Sequence, residues 1–428
     1  MNIPTSRYRW FVVFVFFGFM LLHQMDKLLI GPLTPRIMEE FQITKTQMGA
    51  VTTGALVVGT FLYPLWGYLY DRFARARLLA LAAFLWGVTT SLSALVRTYP
   101  AFIMARASTG IDDSSYPGLY SLVADYFGPE LRGKIFGLLQ LSGPIGYLLG
   151  MVIALMVAPG LGWNWRDVFY LTGGLGILLA ILIFFGVKEM PRGQSEPEFK
   201  DAQEMRKFEF SWAAARDVFK KRTMWFMFLQ GFAGVFPWNV ITYWFFTYLG
   251  EERGYDENSI LLTMAPVILI LAAGYFVGGA AGDWLFKRTL KGRIIVASLG
   301  VLMGALFLFL ALRTPVEETT TFLIWMSLTA LFMPFAGPNV ISTVYDVVLP
   351  EVRSTANSVQ YFIENFGAAA APLLAGIIAD QTGSLGTAIL FICTIAWGTC
   401  FVVYLGALFF IDRDYRALRE TLSRRAAA

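Results

Sequence analysis

Long apolar runs separated by short polar turns fill this chain from Trp10 to Asp412. A membrane crossing needs about 20 apolar residues at a rise of about 1.5 Å each. Twelve segments meet that length: 10–37, 47–70, 77–96, 101–125, 133–158, 167–187, 223–249, 257–281, 293–312, 320–345, 354–379 and 386–412, numbered here spans 1 to 12. In lipid every backbone polar group needs an internal partner, so runs of this length read as helices. The pattern predicts an all-α membrane protein: a six-helix bundle over 1–187, a loop over 188–222, and a second six-helix bundle with a tail over 223–428. The end of that loop, Phe208 to Arg222, mixes Phe and Trp with Arg and Lys at helical spacing. It suits a helix lying on the membrane surface or a plain linker helix. The first run passes 15 apolar residues with no small-residue cleavage site after it, so it is expected to be a span and not a removed signal.

Composition agrees with that pattern. The chain is 57% hydrophobic and 15% charged, against about 25% charged in soluble domains. With an inner N-terminus, 26 of the 34 Lys and Arg fall on inner segments and 6 on outer ones. That excess predicts that both termini are cytoplasmic, in a plasma or inner membrane. The net charge of +4 then reflects topology, and no nucleic-acid partner is implied. Cys393 and Cys400, seven apart on one helical face, read as apolar filler, and there is no Asn-x-Ser/Thr sequon.

Two loop patterns recur in the same order. Gly67-Tyr68-Leu69-Tyr70-Asp71 closes one apolar run, and Gly279-Ala280-Ala281-Gly282-Asp283 closes another 212 residues later. Asp125-x-x-x-Pro129-Glu130-x-Arg132 returns 221 residues later as Asp346-x-x-x-Pro350-Glu351-x-Arg353. Paired repeats mark secondary transporters, whose binding site lies between the repeats.

GYLYDRFARAR resembles the loop signature of the major facilitator superfamily, Gly-x-x-x-Asp-Arg-x-x-Arg, with Ala74 in place of the usual Gly and Arg75 following it. Together with twelve spans and a long central loop, the resemblance covers essentially the whole chain. Met25-Asp26-Lys27, the stretch Arg106 to Pro117, the stretch Gly162 to Tyr170 and KEMPRG are similar to Spinster-like lipid transporters and to anion:cation symporters. Lys27 stands where those families carry Arg, and Asp113 where they carry Glu. The resemblance implies that a loop Asp meets the N-terminus of a helix in the opposite bundle, as an anion at the positive end of a helix dipole. Asp71 would face the start of span 11 and Asp283 the start of span 5, with Arg72, Arg132 and Arg353 completing a gating network. Gly128 to Lys134 fits a phosphate loop up to Ile135, which replaces the Ser or Thr needed for magnesium; no nucleotide is expected there.

Charges inside spans cost about 2.5–3.5 kcal/mol each and are functional candidates by default. His23, Asp26 and Lys27 share one face of span 1, and Arg106 and Asp113 share a face of span 4, with Asp112 beside Asp113 and Tyr116 one turn on. Adjacent carboxylates in a low dielectric do not both ionise easily, which makes one a proton carrier. Asp26, Asp113, Asp112 and His23 are therefore the expected proton-coupling residues. Lys27 and Arg106 are expected to hold an anionic head group. Tyr116, Gln140, Trp238, Asn239, Tyr243, Asn339 and Glu364 are further candidate substrate contacts, several beside Pro237, Pro334 and Pro338, which bend helices.

The expected activity is proton-coupled secondary transport by alternating access. The first substrate class is an amphipathic anion such as a lysophospholipid or sphingoid phosphate, and the alternative is a small organic acid. An uncoupled facilitator or a membrane receptor is the alternative of another class. A monomer working in the bilayer with protons and its substrate is expected, without cofactor, metal or enzymatic activity, since no nucleophile–base or ligand constellation appears in the sequence.

Overall fold

The computed structural model describes residues 6–113, 115–127, 135, 138, 139, 141–190, 216–349 and 352–427. Among them there is no strand, and eleven helices are long and apolar enough to cross a membrane. Span 1 is Ser6–Phe41, span 2 Lys45–Arg72, span 3 Arg75–Leu95, span 6 Trp165–Gly186, span 8 Glu257–Phe286, span 9 Gly292–Arg313 and span 12 Leu385–Ala407. A further helix, Ile411–Ala427, ends the chain. The surface helix expected over 208–222 and the stretch 128–134 lie largely or wholly outside the described residues.

The twelfth crossing is span 4, and it is not one helix. It runs as Tyr99–Ser108, a single turn Gly110–Asp113, and Tyr116–Tyr126. Asp112 and Asp113 interrupt its apolar pattern, and Pro117 has no N–H to continue the ladder. Other spans break where the prolines stand. Span 7 bends between Arg222–Gly234 and Phe236–Glu251, beside Pro237. Span 10 joins Thr319–Phe332 to Ala336–Val347 through a 3-10 turn holding Pro334. Span 11 is Arg353–Ala368 and Ala371–Thr382, with Pro372 opening the second piece. Span 5 is Ser142–Val152 followed by a π turn, Ile153–Val157.

Within the first half, span 3 packs on span 6, span 1 on span 5 and span 2 on span 4; within the second, span 9 packs on spans 10 and 12, and span 7 on spans 11 and 12. Small residues permit these approaches. Gly274, Gly278 and Gly282 lie along span 8 with no room for a Cβ against Leu331, Phe335 and Asn339 of span 10. The outward surface carries exposed Phe14, Met104, Phe185 and Phe409, as a chain solvated by lipid should.

One face of the bundle carries both chain termini; the other is here called the distal face. Four helices that start on the distal face carry their own caps. Thr44 and Gln47 form a capping box at span 2, as Asn164 and Asp167 do at span 6, and Asp256 and Ser384 cap spans 8 and 12. The halves also meet there. Arg36 pairs with Glu257, Lys45 with Glu251 at 2.8 Å, and Asp380 of span 11 accepts the backbone N–H groups of Lys45 and Thr46 at 3.2 and 2.7 Å. Gly31 and Gly49 pack without space for a Cβ against the backbone of Thr242 and Pro372. The distal face is sealed by spans 1, 2, 7 and 11.

Candidate functional site

The break in span 4 turns its polar residues toward spans 1, 3 and 6. Asp26 is buried at their meeting point. Its Oδ1 accepts from Thr172 at 2.6 Å, and its Oδ2 from Thr90 at 3.0 Å and from the Trp86 indole N–H at 3.1 Å. Arg106 brings Nη1 to 4.0 Å from the same Oδ2. Three neutral donors and one cation thus surround a carboxylate with four acceptor sites. The arrangement tolerates either charge state. Threonine hydroxyls can turn from donor to acceptor when the carboxyl gains a proton. Arg106 has a second neighbour for its charge, the Phe169 ring at 5.1 Å. Its Nη1 is buried without a hydrogen bond among the described residues.

One turn before Asp26, the His23 ring lies between two groups of span 4. Nε2 is 2.6 Å from Asp112 Oδ2, and Nδ1 is 2.5 Å from the Tyr116 hydroxyl. Lys27 is half-buried on the next position of span 1. The structure therefore gathers His23, Asp26, Arg106, Asp112 and Tyr116 into one site between spans 1 and 4. The backbone of Asp113 adjoins it, while its side chain, like Gln140 as a whole, lies outside what is described.

The second half supplies less charge. Glu364 of span 11 accepts from Gln360 at 2.8 Å, and Gln360 also donates to the Met227 carbonyl of span 7. Gln230 extends this chain, accepting from Tyr404 at 2.7 Å. Asn239 donates to the Ala368 carbonyl, and Asn339 to the carbonyls of Gly278 and Phe335. Both asparagine amides thus tie helices together, which spacing on a single helix could not foretell. Trp238 is half-buried; Tyr243 is buried beside Tyr147 of span 5, at the seam between the halves.

The loop residues gather at the terminal face. Arg75 donates to Asp125 at 2.5 Å, to Glu189 at 2.9 Å and to the Met190 carbonyl at 2.7 Å. In the second half Arg293 pairs with Asp283 at 2.8 Å and closely with Asp346. Asp283 thus meets a cation of its own half, ten residues on; the start of span 5, which it was expected to face, lies outside the described residues. Asp71, Arg72 and Arg353 belong to helices whose side chains are not described at those positions, as is Gly67, and Arg132 lies outside the described residues. Gly279 lies beside Pro338 of span 10. Glu189 and Arg293 were missed by motif reading. The signal for Arg293 was a basic residue opening span 9 as Arg75 opens span 3.

Two helices that start on this face borrow caps. Glu189 accepts the Ala76 N–H, and Asp414 of the C-terminal helix accepts the Thr223 N–H at the start of span 7. Burial pushes the neighbouring Lys221 ammonium down, against the pull of Asp414 and Asp217. On the distal face, hydrogen bonds from Ser259 hold the Asp256 carboxyl below its usual range. Among the described residues no group of three or more His, Cys, Asp or Glu could hold a metal.

Comparison with known proteins places this arrangement. The family model described as Major Facilitator Superfamily matches residues 12–326. Protein spinster homolog 1 of Xenopus laevis is 27% identical over 393 residues, covering 86% of this chain and 73% of that protein. A probable L-galactonate transporter of Escherichia coli (strain K12) is 28% identical over 399 residues, covering 90% and 86%. Among solved structures, a bacterial homologue of the human lysosomal transporter Spinster, inward-facing and unoccupied, superimposes with a TM-score of 0.78 at 19% identity, covering 97% of this chain and 99% of that one.

Proposed function

We propose that this chain, which belongs to the major facilitator superfamily and is a multi-pass membrane transporter, carries an organic anion together with protons. The observation that supports this reading is the Asp26–Arg106 pair: a buried cation 4.0 Å from a buried carboxylate, with one guanidinium nitrogen left without a hydrogen bond among the described residues. Without substrate, Asp26 balances Arg106. An anion arriving on Arg106 takes over that balance and favours protonation of Asp26 by removing its counter-charge. Anion and proton binding thus strengthen each other, and by linkage the effect is reciprocal. The Asp26–Arg106 pair is neutral both empty and loaded, so the halves can rock around it in either state. Asp113 is proposed as a second carrier, and Lys27 as a further contact for the anion. The terminal face is taken as cytoplasmic, from the Lys and Arg bias.

The amphipathic substrate class draws on the Spinster likeness. A second reading, a small hydroxy acid, is favoured by the relative named for L-galactonate. Thermal-shift binding of a lysophospholipid and of galactonate to the purified protein separates the two. Proteoliposome uptake of whichever binds, with and without a pH gradient, tests the coupling. Gradient-driven uptake should vanish in Asp26→Asn and Asp113→Asn while exchange without a gradient persists. Equal gradient dependence in wild type and both variants would falsify the coupling assignment.

A further inference from the structure

We propose that His23, Asp112 and Tyr116 form a second proton site, distinct from Asp26 and loaded through Tyr116. The proposal deepens the proton-coupled reading above and rests on it only for its part in transport.

Both ring nitrogens of His23 have a partner that suits two protonation states. In one state Nε2–H donates to Asp112 Oδ2 and the Tyr116 hydroxyl donates to Nδ1. Proton uptake at Nδ1 reverses the second bond: Nδ1–H donates to the Tyr116 oxygen, whose own hydrogen turns away. The imidazole–carboxylate unit goes from a charge of −1 to 0, and neither contact is lost. A hydroxyl can exchange the two roles in place. An indole N–H in that position would fix a single state.

Burial gives the direction of loading. Tyr116 and Gln24, whose amide nitrogen is 3.4 Å from the Tyr116 oxygen, are half-buried; His23 and Asp112 are buried. A proton therefore reaches Tyr116 first, His23 next and Asp112 last.

Trp86 separates this unit from Asp26. Its ring meets the His23 ring edge-on at 5.5 Å, and its only N–H is given to Asp26. With its N–H engaged the indole has no proton to pass on. Phe19 closes a further side of the ring at 5.8 Å. The titratable or charged groups around His23 are Asp112 and Tyr116 from span 4, and Asp26 and Lys27 along span 1 itself. Arg106 of span 4 faces Asp26. Asp113 is next to Asp112 in the chain.

The test uses the fact that this chain has one histidine. Nitrogen-15-histidine labelling of the full-length protein in nanodiscs gives one imidazole to follow by NMR between about pH 5 and 8. Both ring nitrogens should titrate together. Asp112→Asn should displace the midpoint by on the order of tenfold in proton concentration, and Tyr116→Phe should alter the Nδ1 signal first. Asp26→Asn should leave the titration in place. Proton uptake read with a pH-indicator dye should fall by separate increments in His23→Gln and Asp26→Asn, and by their sum in the double variant. A ring that holds one protonation state across the range overturns the proposal, as does a titration that disappears with Asp26→Asn. A titrating His23 in a protein whose transport ignores the pH gradient would leave this site standing and remove the coupling reading.

Discussion

The two halves share a fold and part of a sequence, yet differ in chemistry at corresponding positions. On the 212-residue offset, Thr44 corresponds to Asp256 and both cap a helix; Glu40 corresponds to Glu252 and both bind the start of the sixth span of their half. The same offset sets Asp26 against Trp238, Lys27 against Asn239 and His23 against Val235. On the 221-residue offset, Asp125 matches Asp346, but Arg106 meets Ser327 and Asp112 meets Met333. Scaffold residues were kept in both copies, and the buried charge of the candidate site stands in one. Two half-sites of like charge would repel across the seam, and each unpaired charge adds desolvation. Concentrating the charge in one half lets neutralisation happen between helices of a single bundle, while the other half offers a neutral wall.

Asp26 is where that contrast is easiest to break. Asp26→Ala leaves Arg106 without its carboxylate, and we expect a loss of about 3–5 kcal/mol of stability, read as a lowered melting temperature, with gradient-driven transport abolished. Trp238→Phe, at the matching position, should retain most of the activity. Equal losses would mean the halves contribute alike. Next come the terminal-face clusters. Arg75 is buried among three acceptors, whereas the Asp283 partner of Arg293 is mostly exposed. Arg75→Lys should cost about 3 kcal/mol and Arg293→Lys about 1 kcal/mol, compared by thermal melting.

Glu364→Gln preserves a partner for Gln360 and should change stability by under about 1 kcal/mol. If it instead uncouples uptake from the pH gradient, the second half shares the proton chemistry. The smallest effect concerns the caps. Hydrogen bonds lower the folded-state pKa of Asp256, so its stabilisation is present above the unfolded carboxyl value of about 3.9 and fades as pH falls through the lower folded value. Thr44→Ala should therefore destabilise to the same degree in neutral and acid melts, while Asp256→Ala should lose its effect in acid. Matching pH profiles for the two would erase this distinction.

The spans were legible because lipid leaves few alternatives to a long apolar helix. Span 4 was legible as a crossing but not as three pieces, since hydropathy does not register the backbone break beside Pro117. The charged members of the site stood out because charge is rare in a span. Thr90, Thr172 and Trp86 did not, because on their own helices they are ordinary residues, and only packing brings them to Asp26. The second partner of Arg75 was hidden for the same reason: Glu189 is 114 residues away. The Arg293 partner of Asp283 was hidden too, because a motif names a residue and its loop, while its nearest counter-charge depends on how the following helix begins.

Asp380 gives the distal seal a timescale. It holds the first N–H groups of span 2 from the opposite half, so every excursion that parts the halves there must first release it. A carboxylate at a helix N-terminus contributes about 0.3–2 kcal/mol, which in a rate corresponds to roughly two- to thirtyfold. One side chain, far from the candidate site, would thereby act as a clock on turnover. Shortening or neutralising it would change how long the closed state waits, and leave untouched what the protein carries.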